Sequence, residues 1–260
     1  MNKTDQLMRP RLLTGSILAA AGIAAVLILG SAGNRTGVRA DGCTTNPVVT
    51  TNADSGAGSL RQAIADACPG STITFATTVV SPITLASELT IDEDLTIQGP
   101  GASSLTISGN HSVRVFNIGS VTPAINVTLS GLTLSNGKAP IVGGIAGGGC
   151  ISNNSSSTLA ITSVTVSNST AQGGFLGVGG GGISNNNTGT LDITNSTISG
   201  NVASASGGGG GGAIANTVTG AVTITNSTIS GNSAGDGIGG GYAGAGILNV
   251  TGSTFSGNAA

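Results

Sequence analysis

Few side chains in this 260-residue chain could do chemistry, and their spacing limits what that chemistry could be. Asp92-Glu93-Asp94 is an acidic trio. Asp192 and Asp236 are the only charged residues from position 139 onward. Glycoside hydrolysis needs two carboxylates facing one cleft, and a calcium-dependent lyase needs several carboxylates with a basic group. The trio lies between two apolar pairs, Leu89/Ile91 and Leu95/Ile97, and reads as a solvated turn. His111, the single histidine, stands near Arg114 without cysteine or carboxylate partners at metal-ligand spacing, so a surface turn is its reading. Gly235-Asp236-Gly237-Ile238 matches one fragment of a calcium-binding nonapeptide, but such sites need tandem copies. No catalytic, cofactor or metal residues are therefore assigned.

The three cysteines divide. Cys43 and Cys68 bracket one segment and are the candidate disulfide, closing a loop of about 25 residues worth about 3 kcal/mol. Cys150 falls among small residues, in a column with Gly182, Ala213 and Gly246, and reads as a buried thiol. Asn195-Ser196-Thr197 and Asn226-Ser227-Thr228 are formal glycosylation sequons. Their recurrence follows more simply from a corner that wants Asn and a strand that wants Thr.

The elements that position these residues come from a repeat. Val127, Leu159, Leu191 and Val222 share one column at steps of 32, 32 and 31 residues. Leu129, Ile161, Ile193, Ile224 and Val250 share the next. Leu134, Val166, Ile198, Ile229 and Phe255 follow after a short gap. Apolar residues alternate with Thr, Ser or Ala, the period of strands with one buried face. Between the strands stand Gly131, Ser163, Asn195, Asn226 and Gly252, where Gly and Asn suit a left-handed corner. A third segment is expected at Ile151-Ser152-Asn153, Ile183-Ser184-Asn185, Ile214-Ala215-Asn216 and Ile247-Leu248-Asn249. Three short strands per period describe an all-β parallel β-helix. Glycine runs such as Gly207 to Gly212 are loops leaving and rejoining the coil, where extra length costs little entropy.

Upstream, Ile73/Phe75, Ile83/Leu85, Leu89/Ile91, Leu95/Ile97, Leu105/Ile107 and Val113/Val115 predict shorter coils of the same solenoid. Before them, Ser59 and Gln62 fit a capping box. Leu60, Ile64 and Ala67 then share a helical face, and Pro69-Gly70 stops the helix. Such a helix would cover the exposed end of the first coil. The expected organisation is a leader over 1–40, a cap segment over 41–72 and a β-helix over 73–260, regular from about 126.

The leader carries Lys3, Arg9 and Arg11 ahead of an uncharged stretch, Leu12 to Asn34, then Val38-Arg39-Ala40. This is the pattern of a cleaved secretory signal; an uncleaved membrane anchor is the other reading, since the stretch is long enough to span. Either implies export. From Asp41 onward nine acidic residues face three basic ones, Arg61, Arg114 and Lys138. That balance lacks the basic footprint of nucleic-acid binding or of an anionic membrane surface.

The stretch from Asp54 to Ile64, with Ser59-Leu60-Arg61-Gln62 at its centre, resembles the opening segment of exported bacterial right-handed β-helix proteins of the pectin-lyase-like superfamily. The later repeats resemble those of polymorphic outer membrane proteins, with Gly211-Gly212-Ala213-Ile214 and Phe255-Ser256-Gly257-Asn258 as the marks. Ile198 and Ile229 stand where that pattern has Phe, and Gly182 where it has Ala. The resemblance implies a right-handed coil, export and often a C-terminal anchor, whereas the sequence ends inside a repeat. It leaves two functions open. One is a non-catalytic secreted or surface-displayed structural or adhesive module, with cell-surface glycans or proteins as partners. The other is a carbohydrate-active enzyme, since this fold hosts them; fold alone does not decide.

Overall fold

The computed structural model describes residues 42–119, 124–142, 145–154, 156–173, 179–186, 188–205, 210–216, 219–235 and 238–260. The leader, Asp236 and Gly207 to Gly209 lie outside them. The described chain is a parallel β-solenoid, and it belongs to one compact unit spanning Asp41–Ala260. Among the described residues, no helix is long and apolar enough to cross a membrane.

Among the described residues three long walls make the coil, and a fourth, shorter parallel sheet of Thr170–Gly173, Val202–Ala205 and Ser233–Gly235 joins them in the later turns. The first wall has eight strands, running from Val48–Val49 and Ser71–Phe75 through Leu95–Gln98, Asn126–Ser130, Thr158–Thr162, Thr190–Thr194 and Ala221–Thr225 to Ile247–Thr251. The second has seven, from Ile83–Thr84 to Thr254–Ser256, and the third six, from Leu89–Ile91 to Tyr242–Gly244. Strands pair with their copies one coil away, so Leu159 sits on Val127 and Leu191, and Ile193 on Ile161 and Ile224. These inward residues are fully buried in one continuous core. The period-2 alternation puts Thr, Ser and Asn outside by the same geometry. A separate pair, Ile141–Val142 with Ile145–Ala146, is antiparallel.

The corners form as the residue types require. Gly131, Ser163, Asn195, Asn226 and Gly252 all have positive φ, between 50° and 60°. A Cβ strains that conformation least in Asn and not at all in Gly.

The predicted helix spans Leu60–Asp66, with Ser59 as N-cap accepting from the Gln62 N–H. The reciprocal half of the capping box does not form: Gln62 Nε2 donates to Asp66 Oδ2, one turn on, at 2.7 Å. Leu60, Ile64 and Ala67 are buried as expected; Leu60, Ala63 and Ile64 form the helical face that meets the core, and Ala67 is the C-cap just beyond it.

Two expected alignments are corrected. Ile247-Leu248-Asn249 is not a third-wall segment; Ile247 pairs with Ala221 and Leu248 with Val222 in the first wall. Tyr242–Gly244 stacks on Ile214–Asn216 instead. The last coil is shorter, 26 residues separating Ala221 from Ile247, so a fixed 31- or 32-residue step overshoots it. The column of Cys150, Gly182 and Ala213 consequently continues at Gly240 and Gly241, through Ala213 N–H to Gly240 O at 2.9 Å and Ile214 N–H to Gly241 O at 3.2 Å, not at Gly246. Upstream, the strand expected at Val113/Val115 lies at Phe116–Ile118. Arg114 staples the chain just before it, and Phe116 and Ile118 fill the core places stacked on Leu89 and Ile91.

Candidate functional site

The charged residues gather at the N-terminal coils and hold backbone there. Arg61 donates from Nη2 to Asp54 Oδ1 at 2.7 Å and to Ser87 O at 2.6 Å, and from Nη1 to Glu88 O at 2.9 Å. It thereby ties the cap helix to the turn that leads into the third wall. Burial opposes ionisation of Asp54. The hydrogen bonds from Arg61 and the Ala86 N–H, with the Arg61 charge, outweigh it and hold the carboxyl below its ordinary value. Arg114 is buried. Its Nε donates to Gly148 O at 2.9 Å, Nη2 to Gly147 O at 2.7 Å and Nη1 to Glu88 Oε2 at 3.1 Å. Desolvation lowers its pKa and the Glu88 charge and hydrogen bond counter that. An arginine fork satisfying carbonyls of a glycine loop is a structural use of its fixed donor geometry.

The other candidates are not brought together. Asp92-Glu93-Asp94 does form the turn between Leu89–Ile91 and Leu95–Gln98. Within it Asp94 Oδ1 accepts the Asn126 N–H at 2.7 Å, starting the next coil's strand. His111 is exposed in a turn at φ 52°, its N–H donating to Asn136 O at 2.7 Å. Asp192 points outward from the first wall between Ala160 and Thr223. Asp236, and with it the Gly235–Ile238 fragment, falls outside the described residues. Among the described residues no three His, Cys, Asp or Glu side chains group as metal ligands.

Cys43 and Cys68 are joined, with Cα atoms 4.9 Å apart, and Thr44 bridges Ala67 beside them. Cys150 is fully buried. Burial pushes its thiol up to about 12 against a smaller opposing hydrogen bond with Ser169.

The polar residues that matter most to this architecture escaped the sequence reading. Three ladders run along the axis. In the first, the Val164 N–H donates to Ser196 Oγ, Ser196 N–H to Ser227 Oγ and Ser227 N–H to Ser253 Oγ, at 3.0 to 3.1 Å. In the second, the Ser169 N–H donates to Asn201 Oδ1, Asn201 N–H to Asn232 Oδ1 and Asn232 N–H to Asn258 Oδ1. The third links Asn153 Nδ2 to Asn185 Oδ1 at 2.7 Å, Asn185 Nδ2 to Asn216 Oδ1 at 3.0 Å, and Asn216 Nδ2 to the Tyr242 hydroxyl at 3.3 Å. Each side chain also donates to or accepts from nearby backbone, satisfying groups that strand pairing leaves over at the corners. The third ladder shows what its direction costs at its start. Every Nδ2 points to the following coil, and Asn153 has Ile118 on the preceding one, so Asn153 Oδ1 is buried without a partner among the described residues. The signal available in the sequence was the recurrence of Asn in Ile183-Ser184-Asn185 and Ile198-Ser199-Gly200-Asn201.

Outside, the second wall presents one residue type per row. Thr106, Thr133, Thr165, Thr197, Thr228 and Thr254 stack in register, and two positions on the Ser residues from Ser108 to Ser256 do the same, with Ser108 and Ser135 buried and Thr133 donating to Ala102 O at 2.6 Å. The first wall is mixed at matching depth, with Thr128, Ala160, Asp192 and Thr223 in one row.

Comparison with protein-family models, with curated proteins and with solved structures finds no match to this chain. The fold and its ladders define the class, a parallel β-solenoid, on their own geometry.

Proposed function

We propose that the chain is a non-catalytic interaction module, exported and either secreted or displayed at the cell surface, with extended surfaces such as glycans or cell-surface proteins as partners. One observation carries this reading: the charged groups that do come together, Arg61 with Asp54 and Arg114 with Glu88, hold backbone, and the exposed His111 and the outward-pointing Asp192 stand apart from them. Arg61 and Arg114 occupy their forks with carbonyls and with Asp54 and Glu88. Asp94 caps a strand start. What remains facing solvent along the regular coils is a periodic array of hydroxyls, suited to many weak contacts. The likeness of Asp54 to Ile64 to exported β-helix proteins supports export.

The test is turnover against binding. The purified protein is expected not to depolymerise pectate, polygalacturonate or neutral glucans, with or without calcium, while adhering to cells or insoluble glycans. Cleavage that disappears on replacing Asp192 or Asp236 would overturn the reading in favour of a carbohydrate-active enzyme.

A further inference from the structure

The second wall differs from an ordinary solvated sheet face. The first wall carries one uniform row, Thr162, Thr194, Thr225 and Thr251, beside a mixed row of Thr128, Ala160, Asp192 and Thr223, whereas both outward rows of the second wall are uniform. Here Thr165, Thr197 and Thr228 repeat on three successive coils, with Ser167, Ser199 and Ser230 two positions along. The register continues over six strands, but Thr133 donates to Ala102 O and Ser108 and Ser135 are buried, so the open array is that of these three coils, spaced about 4.8 Å between strands and about 6.6 Å along the strand. None of these six hydroxyls has a hydrogen-bond partner among the described residues. The serines just outside the rows behave oppositely: Ser196 and Ser227 are locked into their ladder and donate to Thr194 O and Thr225 O.

Those ladders also fix the geometry of the face. Ser196, Ser227 and Ser253 run along one edge, and Asn201, Asn232 and Asn258 along the other. Side-chain ladders of this kind oppose the twist that parallel strands otherwise accumulate. Inward, Val166, Ile198 and Ile229 anchor each strand in the core with no exposure. Threonine is stiff at χ1, so copies in equal surroundings present hydroxyl and methyl alike.

A rigid, uncharged lattice of hydroxyls and methyls needs a ligand that is itself periodic, flat and uncharged. A small free saccharide fits poorly, because binding sites for small ligands are concave and lined with apolar and aromatic groups. These rows hold no aromatic residue and line a wall. Charged polymers fit no better, since neither row contains a charged side chain. Water in its crystalline form is periodic, flat-faced and uncharged, with a short oxygen repeat on its faces close to the spacing between strands. Waters anchored between neighbouring hydroxyls lose little enthalpy relative to bulk, and the methyls between them leave the adjoining layer free to join the lattice. We propose that the second wall is an ice-binding face.

The test uses the purified chain and ice itself. Thermal hysteresis and inhibition of ice recrystallisation are measured for the wild type, for Thr197→Arg and Thr165→Lys in the centre of the row, and for Thr223→Arg on the first wall. Far-UV circular dichroism and the urea midpoint establish that each variant is folded, and two row variants guard against one that is not. The expected result is hysteresis and recrystallisation inhibition in the wild type and in Thr223→Arg, falling to the buffer level in the row variants. A wild type without either activity overturns the proposal. So does activity that is lost in Thr223→Arg and kept in Thr197→Arg, which would move the site to the first wall. Adsorption to insoluble cellulose or chitin that depends on Thr197, without effect on ice, also overturns it and assigns the face to a neutral polysaccharide.

Discussion

Asn226 and Asn232 lie six residues apart in one repeat, and the structure gives the same substitution unequal consequences at the two. Asn232 is buried, 1% exposed. Its Oδ1 accepts the Asn201 N–H at 2.9 Å, and its Nδ2 donates to Ile198 O at 3.0 Å and Asn258 Oδ1 at 2.9 Å. Asn232→Ala leaves the Asn201 N–H buried with no acceptor, which costs about 1–3 kcal/mol alone. Ile198 O loses its side-chain donor as well, while Asn258 Oδ1 keeps the Asn232 N–H at 3.1 Å. With a small cavity added, the expected loss is about 3 kcal/mol. Asn226 is exposed, makes no side-chain hydrogen bond among the described residues, and serves only to adopt φ 50°. Asn226→Ala should cost about 1 kcal/mol in left-handed strain, and Asn226→Gly should be within about 0.5 kcal/mol of wild type because Gly takes that conformation freely. Urea unfolding, followed by circular dichroism and by the fluorescence of the single tyrosine, Tyr242, reads all three. Coincident transitions license the comparison. Equal losses from the two alanine variants, or a larger loss from Asn226→Gly than from Asn232→Ala, would refute the division into corner and ladder asparagines.

Ile224, fully buried between Ile193 and Val250, should not tolerate Asp: the urea midpoint of Ile224→Asp is expected to show a loss of several kcal/mol, about the scale of an unpaired buried polar or charged group. Mass spectrometry of the unreduced protein should find the Cys43 and Cys68 peptides linked, and Cys150, its thiol pushed up to about 12, should stay unreactive to thiol reagents until urea unfolds the chain. Asp54 has a depressed folded pKa, so its contribution is present above the unfolded value, ordinarily 3.8, and is lost as pH falls through the lower folded value. Asp54→Asn should therefore lower stability at neutral pH and flatten the acid limb of the stability curve below about pH 4.

How much of this was legible in the residues follows from the range of the forces involved. Strand alternation, left-handed corners and the Ser59 cap are settled within a few residues, by side-chain direction, Cβ sterics and one local hydrogen bond. The columns through Leu159, Ile193 and Ile198 and the corners at Asn195 and Asn226 could accordingly be read from sequence alone. Partners a full coil away could not. Ile247 reads like Ile214, and only the shortened last coil seats it on Ala221 and puts Tyr242 in the place it was expected to take. Gln62 has the side chain for a capping box, yet the helix offers it Asp66 at closer reach. The asparagines of the third ladder fall in the third strand segments by sequence, but their side-chain partners are not legible there, because a buried amide must find its partners wherever the coils bring them. Arg61 and Arg114 look like free charges until folding sets carbonyls of distant turns around their forks. The sequence by itself determined the repeat and its walls, since those rest on local geometry. Only the tertiary structure decided which polar groups are used up inside and which rows of hydroxyls remain facing outward.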